Sequence, residues 1–328
     1  VTSVEQAGGE SRLTVLVALG INLGIALMKA VAGVLSGSAA MLAEAGHSVA
    51  DTITEGLLLA ALRRSERPAD RRHPFGYGKE RFFWSLLAAV SIFTSGALFA
   101  FVEGFHALVD EDADQGNTTV AYIVLAAGFV LELVSWLRAI KQIRTEAAEA
   151  NTSIRHYLRE VDDPTAKTVL LEDSAALIGL LLAFAGLGLH ELTGSRVWDG
   201  AASLAIGVLL ACCAYVLGHT NRGLLIGRQA DVALVRAVRQ RLVQAPEVEV
   251  LVDLLTMLTG TGKVLLCARL DFDDALGAAD LEFACVRIAS ELRAEFPQLD
   301  EIFLEPVPRT DPEIRARVLA RYGTAFEQ

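Results

Sequence analysis

His47 and Asp51 stand four residues apart inside an apolar stretch long enough to cross a bilayer, in the run Ala45-Gly46-His47-Ser48-Val49-Ala50-Asp51. That spacing is about one helical turn, so an imidazole and a carboxylate share one face. An ionisable pair in hydrocarbon is costly and is retained for a task. A nitrogen and an oxygen donor on one face make half of a site for a divalent metal ion. Glu44 and Glu55 extend the same face, at spacings of three, four and seven, into a polar stripe about three turns long. Interhelical hydrogen bonding without ion traffic is the competing role for such a stripe.

A second acidic pair, Glu172 and Asp173, lies about a turn inside another apolar run, which starts near Thr168. Neighbours on a helix diverge by about 100°, so only one of the two can face a given partner. The plain alternative is a carboxylate at the favourable end of the helix dipole. Asn22 and Lys29, in the first apolar run, can pair with Glu55 or Glu132.

These residues need a membrane scaffold to hold them. The chain has 328 residues and is 53% hydrophobic, more apolar than a soluble domain of this length usually is. Six stretches approach the roughly 20 residues that span a bilayer core, at about 13–34, 39–61, 83–107, 119–140, 168–189 and 199–218. The expected fold is an α-helical membrane protein with six transmembrane helices and a C-terminal α/β domain. Its parts are an N-terminal cytoplasmic tail (1–11), a six-span domain (12–220), a cytoplasmic α/β domain (221–310) and a C-terminal tail (311–328). Residues 1–11 are polar, carry Glu5 and Glu10, and lack the order of a cleaved signal.

The net charge of −11 argues against a nucleic-acid partner. Basic residues concentrate between the second and third spans (Arg63, Arg64, Arg67, Arg71, Arg72, Lys79, Arg81) and between the fourth and fifth (Arg138, Lys141, Arg144, Arg155, Arg159, Lys167). The opposite loops are acidic or nearly neutral, one of them with Asp110, Glu111, Asp112 and Asp114. The positive-inside rule then puts both basic loops and both termini in the cytoplasm, and an even number of spans agrees with it. The expected location is the inner or plasma membrane.

Beyond about residue 220 the pattern becomes soluble. Asp231 to Gln244 has the apolar spacing of a helix. Glu247 to Leu258 and Val264 to Phe272 read as strands around the turn Thr259-Gly260-Thr261-Gly262. Ala279 to Phe296 is a second amphipathic helix, and Glu301 to Glu305 a last short strand. The order αββαβ suggests a two-layer, ferredoxin-like domain. Upstream, Asp162-Asp163 before Pro164 marks a helix start. The four cysteines, Cys212, Cys213, Cys267 and Cys285, form no CxxC and read as small core residues. No nucleophile–base arrangement, phosphate loop or cofactor motif is present in the sequence, so no enzyme is expected.

The chain resembles the cation diffusion facilitator family. The likeness rests on Ser36-Gly37-Ser38 followed by the H-x-x-x-D of His47 and Asp51, on His73-Pro74-Phe75-Gly76-Tyr77-Gly78-Lys79-Glu80, on the six-span order and on the αββαβ tail. It covers about residues 12–307. The resemblance implies a homodimer in the lipid bilayer that exchanges cytoplasmic divalent metal for protons. It implies a transport site with two ligands four apart on the second span and two on the fifth. His47 and Asp51 take the first pair of positions. Asp173 takes the last, and Val169, which cannot bind metal, stands at the remaining one. The metal set is then His47, Asp51 and Asp173, with water or Glu172 as a fourth ligand, or Glu172 opposite Thr168 in a shifted register. The resemblance further suggests a second, peripheral metal site at Asp70 and His73. It also suggests that Lys79 ties the membrane part to the tail through an ion pair, with Asp231 as partner. The tail has no histidine, so dimerisation is expected of it more than metal sensing.

One nitrogen and two oxygens suit Zn2+, and also Fe2+, Mn2+ or Co2+. Imidazole and carboxylates bind metal deprotonated, so protons compete with metal for the same atoms, which is the physical basis of antiport. Proton-coupled efflux, with Zn2+ the leading cargo, is therefore the first expectation. A non-transporting accessory membrane subunit is the alternative, and a pore without proton counterflow is the third.

Overall fold

The structure, a computed structural model, describes residues 20, 22–109, 118–149, 153–154 and 164–322. The segment 1–11, the start of the first span, the acidic residues 110–114, Arg155, His156, Arg159, the Asp162-Asp163 helix start and residues 323–328 lie outside the described residues.

The chain divides into two compact units. One is built from the chain up to Arg64 and from Arg81 to Arg222, the other from Ser65–Glu80 and from Gly223 onward. The first is all helical. Its helices are α1 (Asn22–Ser36), α2 (Ala39–Ser65), α3 (Glu80–Val109), α4 (Thr118–Glu149), α5 (Pro164–Thr193) and α6 (Val197–Ile226), the ends of some belonging to the second unit. Four of these, α3 to α6, carry segments long and apolar enough to cross a membrane. Helix α1 is apolar but shorter in its described part. Helix α2 has 27 residues, roughly 40 Å of helix, but its stripe of Glu44, His47, Asp51 and Glu55 makes it too polar to pass on hydropathy alone. The protein is thus a helical membrane-type protein with four apolar candidate spans and a small C-terminal sheet domain.

Small side chains bring the helices together. The core of this unit is dominated by alanine, with Ala40, Ala43, Ala97, Ala100, Ala183 and Ala202 around Met41, Ile92, Leu180 and Ile206. Without a hydrophobic driving force in lipid, close backbone approach and dispersion hold helices together, and small residues permit it. Large apolar groups such as Leu27, Val130, Leu181 and Val208 face outward.

Helix α3 is interrupted by a π-helical turn, Ile92–Ala97, where the N–H of Leu98 reaches back to Phe93 O. The widened turn packs on α2: a Cβ on Gly46 would meet Ser95 O at 3.1 Å and would overlap the ring of Phe99. Gly46 therefore lets α3 approach the α2 backbone one residue before His47. Such single-turn π segments recur at functional sites.

In the second unit the tail folds as α7 (Val232–Val243), β1 (Val248–Gly260), β2 (Lys263–Phe272), α8 (Ala278–Glu295), β3 (Leu299–Pro306) and α9 (Pro312–Tyr322). The sheet order is β1-β2-β3, antiparallel between β1 and β2 and parallel between β2 and β3. A parallel neighbour requires a crossover, which α8 supplies. On β2 every second side chain is buried, from Val264 through Leu266, Ala268 and Leu270 to Phe272. Val238 and Leu242 of α7 and Ala284, Ile288 and Leu292 of α8 complete the core. The order αββαβ thus matches the expectation, and strand β1 runs two residues further than Leu258.

Helix α9 occupies the segment read from sequence as a tail. Asp311 caps it, accepting the N–H groups of Glu313 and Ile314 at 3.0 and 2.9 Å, with Pro312 in the first turn. Arg321 at its end reaches the fully buried Asp253 of β1 at 2.9 Å, and the Tyr322 hydroxyl donates to Leu254 O at 3.1 Å.

Candidate metal-binding site

The N-terminus of α2 is fastened from a distant part of the chain. Asp199, at the start of α6 and nearly fully buried, accepts Ser38 Oγ at 2.6 Å, Ala39 N at 2.5 Å and Ala40 N at 3.4 Å. Ser38 Oγ in turn accepts Met41 N at 3.1 Å. The first N–H groups of a helix have no partner within it, and an anion there also meets the positive end of the helix dipole. Arg196 donates to Gly37 O at 3.1 Å on the same corner. Sequence reasoning missed Asp199. An isolated acid opening an apolar helix was the available signal.

Along α2 the polar stripe is real, and Glu44 and Glu55 have separate partners. Glu44 pairs with Lys29 of α1 at 3.2 Å, both side chains wholly buried. This corrects the expectation that Lys29 meets Glu55 or Glu132. Asn22 does meet Glu55, donating at 2.5 Å. His47 is buried, with Nδ1 3.5 Å from Asp51 Oδ1. Neither ring nitrogen of His47, nor Asp51 Oδ1, has a hydrogen-bond partner. Buried polar atoms of this kind ordinarily have one.

Next to Asp51 opens a cavity of about 430 Å³ between α1, α2, α4 and α5. Asp51, Glu55, Glu132, Val169, Glu172 and Asp173 are on its wall, and His47 is not. The two acids of α5 differ. Glu172 is buried and its Oε1 is unpartnered. Asp173 accepts Ser135 Oγ of α4 at 2.9 Å. Both carboxylates of α5 thus reach one cavity, and Ser135 of α4 binds Asp173 there. Among the described residues no three His, Cys, Asp or Glu side chains stand close enough together to hold a metal ion. His47 and Asp51 are brought together; Glu172 and Asp173 share the cavity with Asp51 without closing on it.

The loop residues Asp70 and His73 meet at 3.4 Å, each about half exposed. Asp70 organises the loop: Oδ1 accepts the N–H groups of Arg72 and His73 at 2.8 and 2.7 Å, and Oδ2 accepts Tyr77 Oη at 2.7 Å. The Tyr77 hydroxyl, then the His73 backbone N–H, hold the Asp70 carboxyl below the usual carboxylate range. Both oxygens therefore already have donors within the loop. The same loop packs on the sheet turn, since a Cβ on Gly78 would lie 2.5 Å from Thr259 O. Lys79 follows, but it does not meet Asp231. Its Nζ approaches Leu225 O at 3.5 Å and Met257 Sδ at 3.8 Å, because the chain end of α6 and strand β1 lie nearer than the start of α7.

Comparison with known proteins bears on what this arrangement is for. Residues 15–226 match the cation efflux transmembrane domain family. The mouse mitochondrial proton-coupled zinc antiporter SLC30A9 is 34% identical over 259 residues, 79% of this chain and 46% of the mouse protein. Metal tolerance protein C4 of Arabidopsis thaliana is 37% identical over 238 residues, 73% of this chain and 52% of that protein. The cation-efflux pump FieF of Serratia proteamaculans is 29% identical over 292 residues, 88% and 90% of the two chains. The chain spans about half the length of the first two relatives. With a helical membrane unit carrying an orphaned His–Asp pair, and a family match over well over half its length, this chain belongs to the cation diffusion facilitator family of cation efflux transporters.

Proposed function

We propose that the protein exports a divalent metal cation, Zn2+ foremost, from the cytoplasm in exchange for protons, as a secondary active transporter. The observation that carries this reading is the His47–Asp51 pair, His47 buried and both its ring nitrogens and Asp51 Oδ1 without hydrogen-bond partners, with Asp51 on the wall of a cavity that Glu172 and Asp173 also line. His47 and Asp51 are the ligands from α2. Asp173 completes the set from α5, with Glu172 or water as the fourth donor, after a shift of α5 side chains toward α2. Deprotonated, these groups bind metal; protonated, they release it. The names of the mouse and plant relatives favour zinc and metal tolerance, and Fe2+, Mn2+ or Co2+ remain competing cargoes for such a donor set. The Asp70–His73 pair is a minor second metal position within this reading.

In the same reading α1 and α2 complete six spans, and the basic loops put both termini in the cytoplasm of a cell whose inner or plasma membrane holds the protein. The tail is ferredoxin-like and makes a homodimer. Phe283 and Val286, about one helical turn apart on α8 and strongly exposed, supply apolar surface for it.

The test is flux into proteoliposomes that hold the purified chain and a pH dye. Zn2+ uptake with opposite proton movement is expected, and Asp51→Ala abolishes both. No flux of any divalent metal from the wild type would favour the accessory-subunit reading, and metal flux without proton movement would favour a pore.

A further inference from the structure

The cavity beside Asp51 stops at one level on every helix that walls it. Its wall ends at Ile25 on α1, Ser48 on α2, Leu131 on α4 and Ala176 on α5. About one turn beyond these ends stand Lys29, Glu44, Gly128 and Gly179, all buried. Lys29 Nζ and Glu44 Oε2 meet there at 3.2 Å, with both side chains wholly buried. The glycines leave room for them: a Cβ on Gly179 would overlap Glu44 Oε1, and one on Gly128 would lie 3.5 Å from Lys29 Cε. An ion pair thus fills the crossing of four helices beyond the end of the cavity.

His47 lies between the two. Along α2 it is about one turn from Glu44 in one direction and from Asp51 in the other, and it is off the cavity wall. The cavity extends from Asp51 toward the end of α2 that leads into the basic residues 63–81, the cytoplasmic end in the reading above. The pair stands on the other side of His47, toward the hairpin at Gly37. Its bonding is incomplete. Glu44 Oε1 has no hydrogen-bond partner, so the pair regains little of what its two charges lose on leaving water. Once water reaches them, both charges are solvated and separate at small cost. An apolar plug of the same size behaves in the opposite way, because wetting it is unfavourable.

We propose that Lys29 and Glu44 form a reversible seal between the His47–Asp51 site and the side of the membrane opposite the cavity. Closed and dry, the pair confines the site to the cavity side. Separated and hydrated, it gives the site access to the other side. Neither residue is a metal ligand in this role. The inference rests on the metal-transport reading above.

The full chain in oriented proteoliposomes, with its four cysteines replaced by alanine, carries Ser48→Cys as a reporter on the cavity wall. A membrane-impermeant methanethiosulfonate probes it from either face. Labelling is fast from the cavity side and slow from the other. Lys29→Ala with Glu44→Ala removes the seal and speeds far-side labelling by about tenfold or more. Lys29→Met with Glu44→Leu fills the same space with apolar groups and slows far-side labelling by about tenfold. Labelling from the cavity side stays at the parent rate in both. The apolar variant also lowers maximal Zn2+ flux. Should the alanine variant fold poorly, the apolar variant decides alone. Far-side labelling at the parent rate in the folded variants overturns the proposal, and so does an equal change from both sides, which marks general loosening. If no divalent metal moves but far-side labelling responds as stated, the transport reading fails and the seal stands. If metal moves and labelling does not respond, the seal fails and the transport reading stands.

Discussion

Asp199 accepts the backbone N–H of Ala39 at 2.5 Å, and so caps, from the start of α6, the helix that carries His47 and Asp51. Ser38 and Ala40 share the same carboxylate. The position of His47 and Asp51 along the helix axis therefore depends on a residue far away in sequence. Asp199→Ala leaves these donors unpaired in a buried corner. We expect a loss of roughly 2 kcal/mol, from the cap and the orphaned donors together. Asp199→Asn keeps an acceptor and should lose less. Unfolding in graded SDS–detergent mixtures measures both.

The Lys29–Glu44 pair is wholly buried. Removing one partner of such a pair strands a charge, at a cost of about 3–5 kcal/mol, whereas replacing both by apolar groups is far milder. Lys29→Met should destabilise strongly, and Lys29→Met combined with Glu44→Leu should recover most of the loss. The same unfolding assay reports this. Equal destabilisation in single and double variants would show that the pair does not act as a unit.

Val169 lines the cavity together with Asp51 and Glu172. A histidine there supplies a nitrogen donor about one turn from Asp173. Val169→His should raise Zn2+ affinity by about tenfold or more, equivalent to about 1.4 kcal/mol. Tighter binding slows release, so flux should fall as affinity rises. Titration calorimetry paired with flux checks it. An unchanged affinity would point to the register of Glu172 and Thr168 instead.

The Asp70 carboxyl lies below its ordinary value of about 3.9 chiefly because the Tyr77 hydroxyl donates to it. A depressed carboxyl stabilises the folded loop at all pH above the ordinary value. That contribution is lost as pH falls through the depressed one. Tyr77→Phe should raise the Asp70 pKa toward the ordinary value, so the loop loosens at a higher pH than in the wild type. Carbon-13 titration of the labelled Asp70 carboxyl in both proteins reads the shift directly.

Local pattern was enough for much of this molecule. The spacing of Glu44, His47, Asp51 and Glu55 placed them on one helix, and α2 holds all four. The two-residue alternation of 264–272 and the turn at 259–262 announced β1 and β2, because side-chain period is a property of neighbours in sequence. Helix α9 was missed in a segment read as a tail, although Asp311-Pro312, a cap followed by a first-turn proline, was a local signal for it. Partner choice was not. Lys29 selects Glu44 over Glu55 or Glu132, Lys79 approaches Leu225 and Met257 in place of Asp231, and Asp199 serves α2 across 160 positions of chain. The difference between Glu172, whose Oε1 has no hydrogen-bond partner, and Asp173, bound to Ser135, is of the same kind. Sequence determines which donors and acceptors a face presents. Which of them meet depends on how helices far apart in the chain pack, and only the tertiary structure decides that.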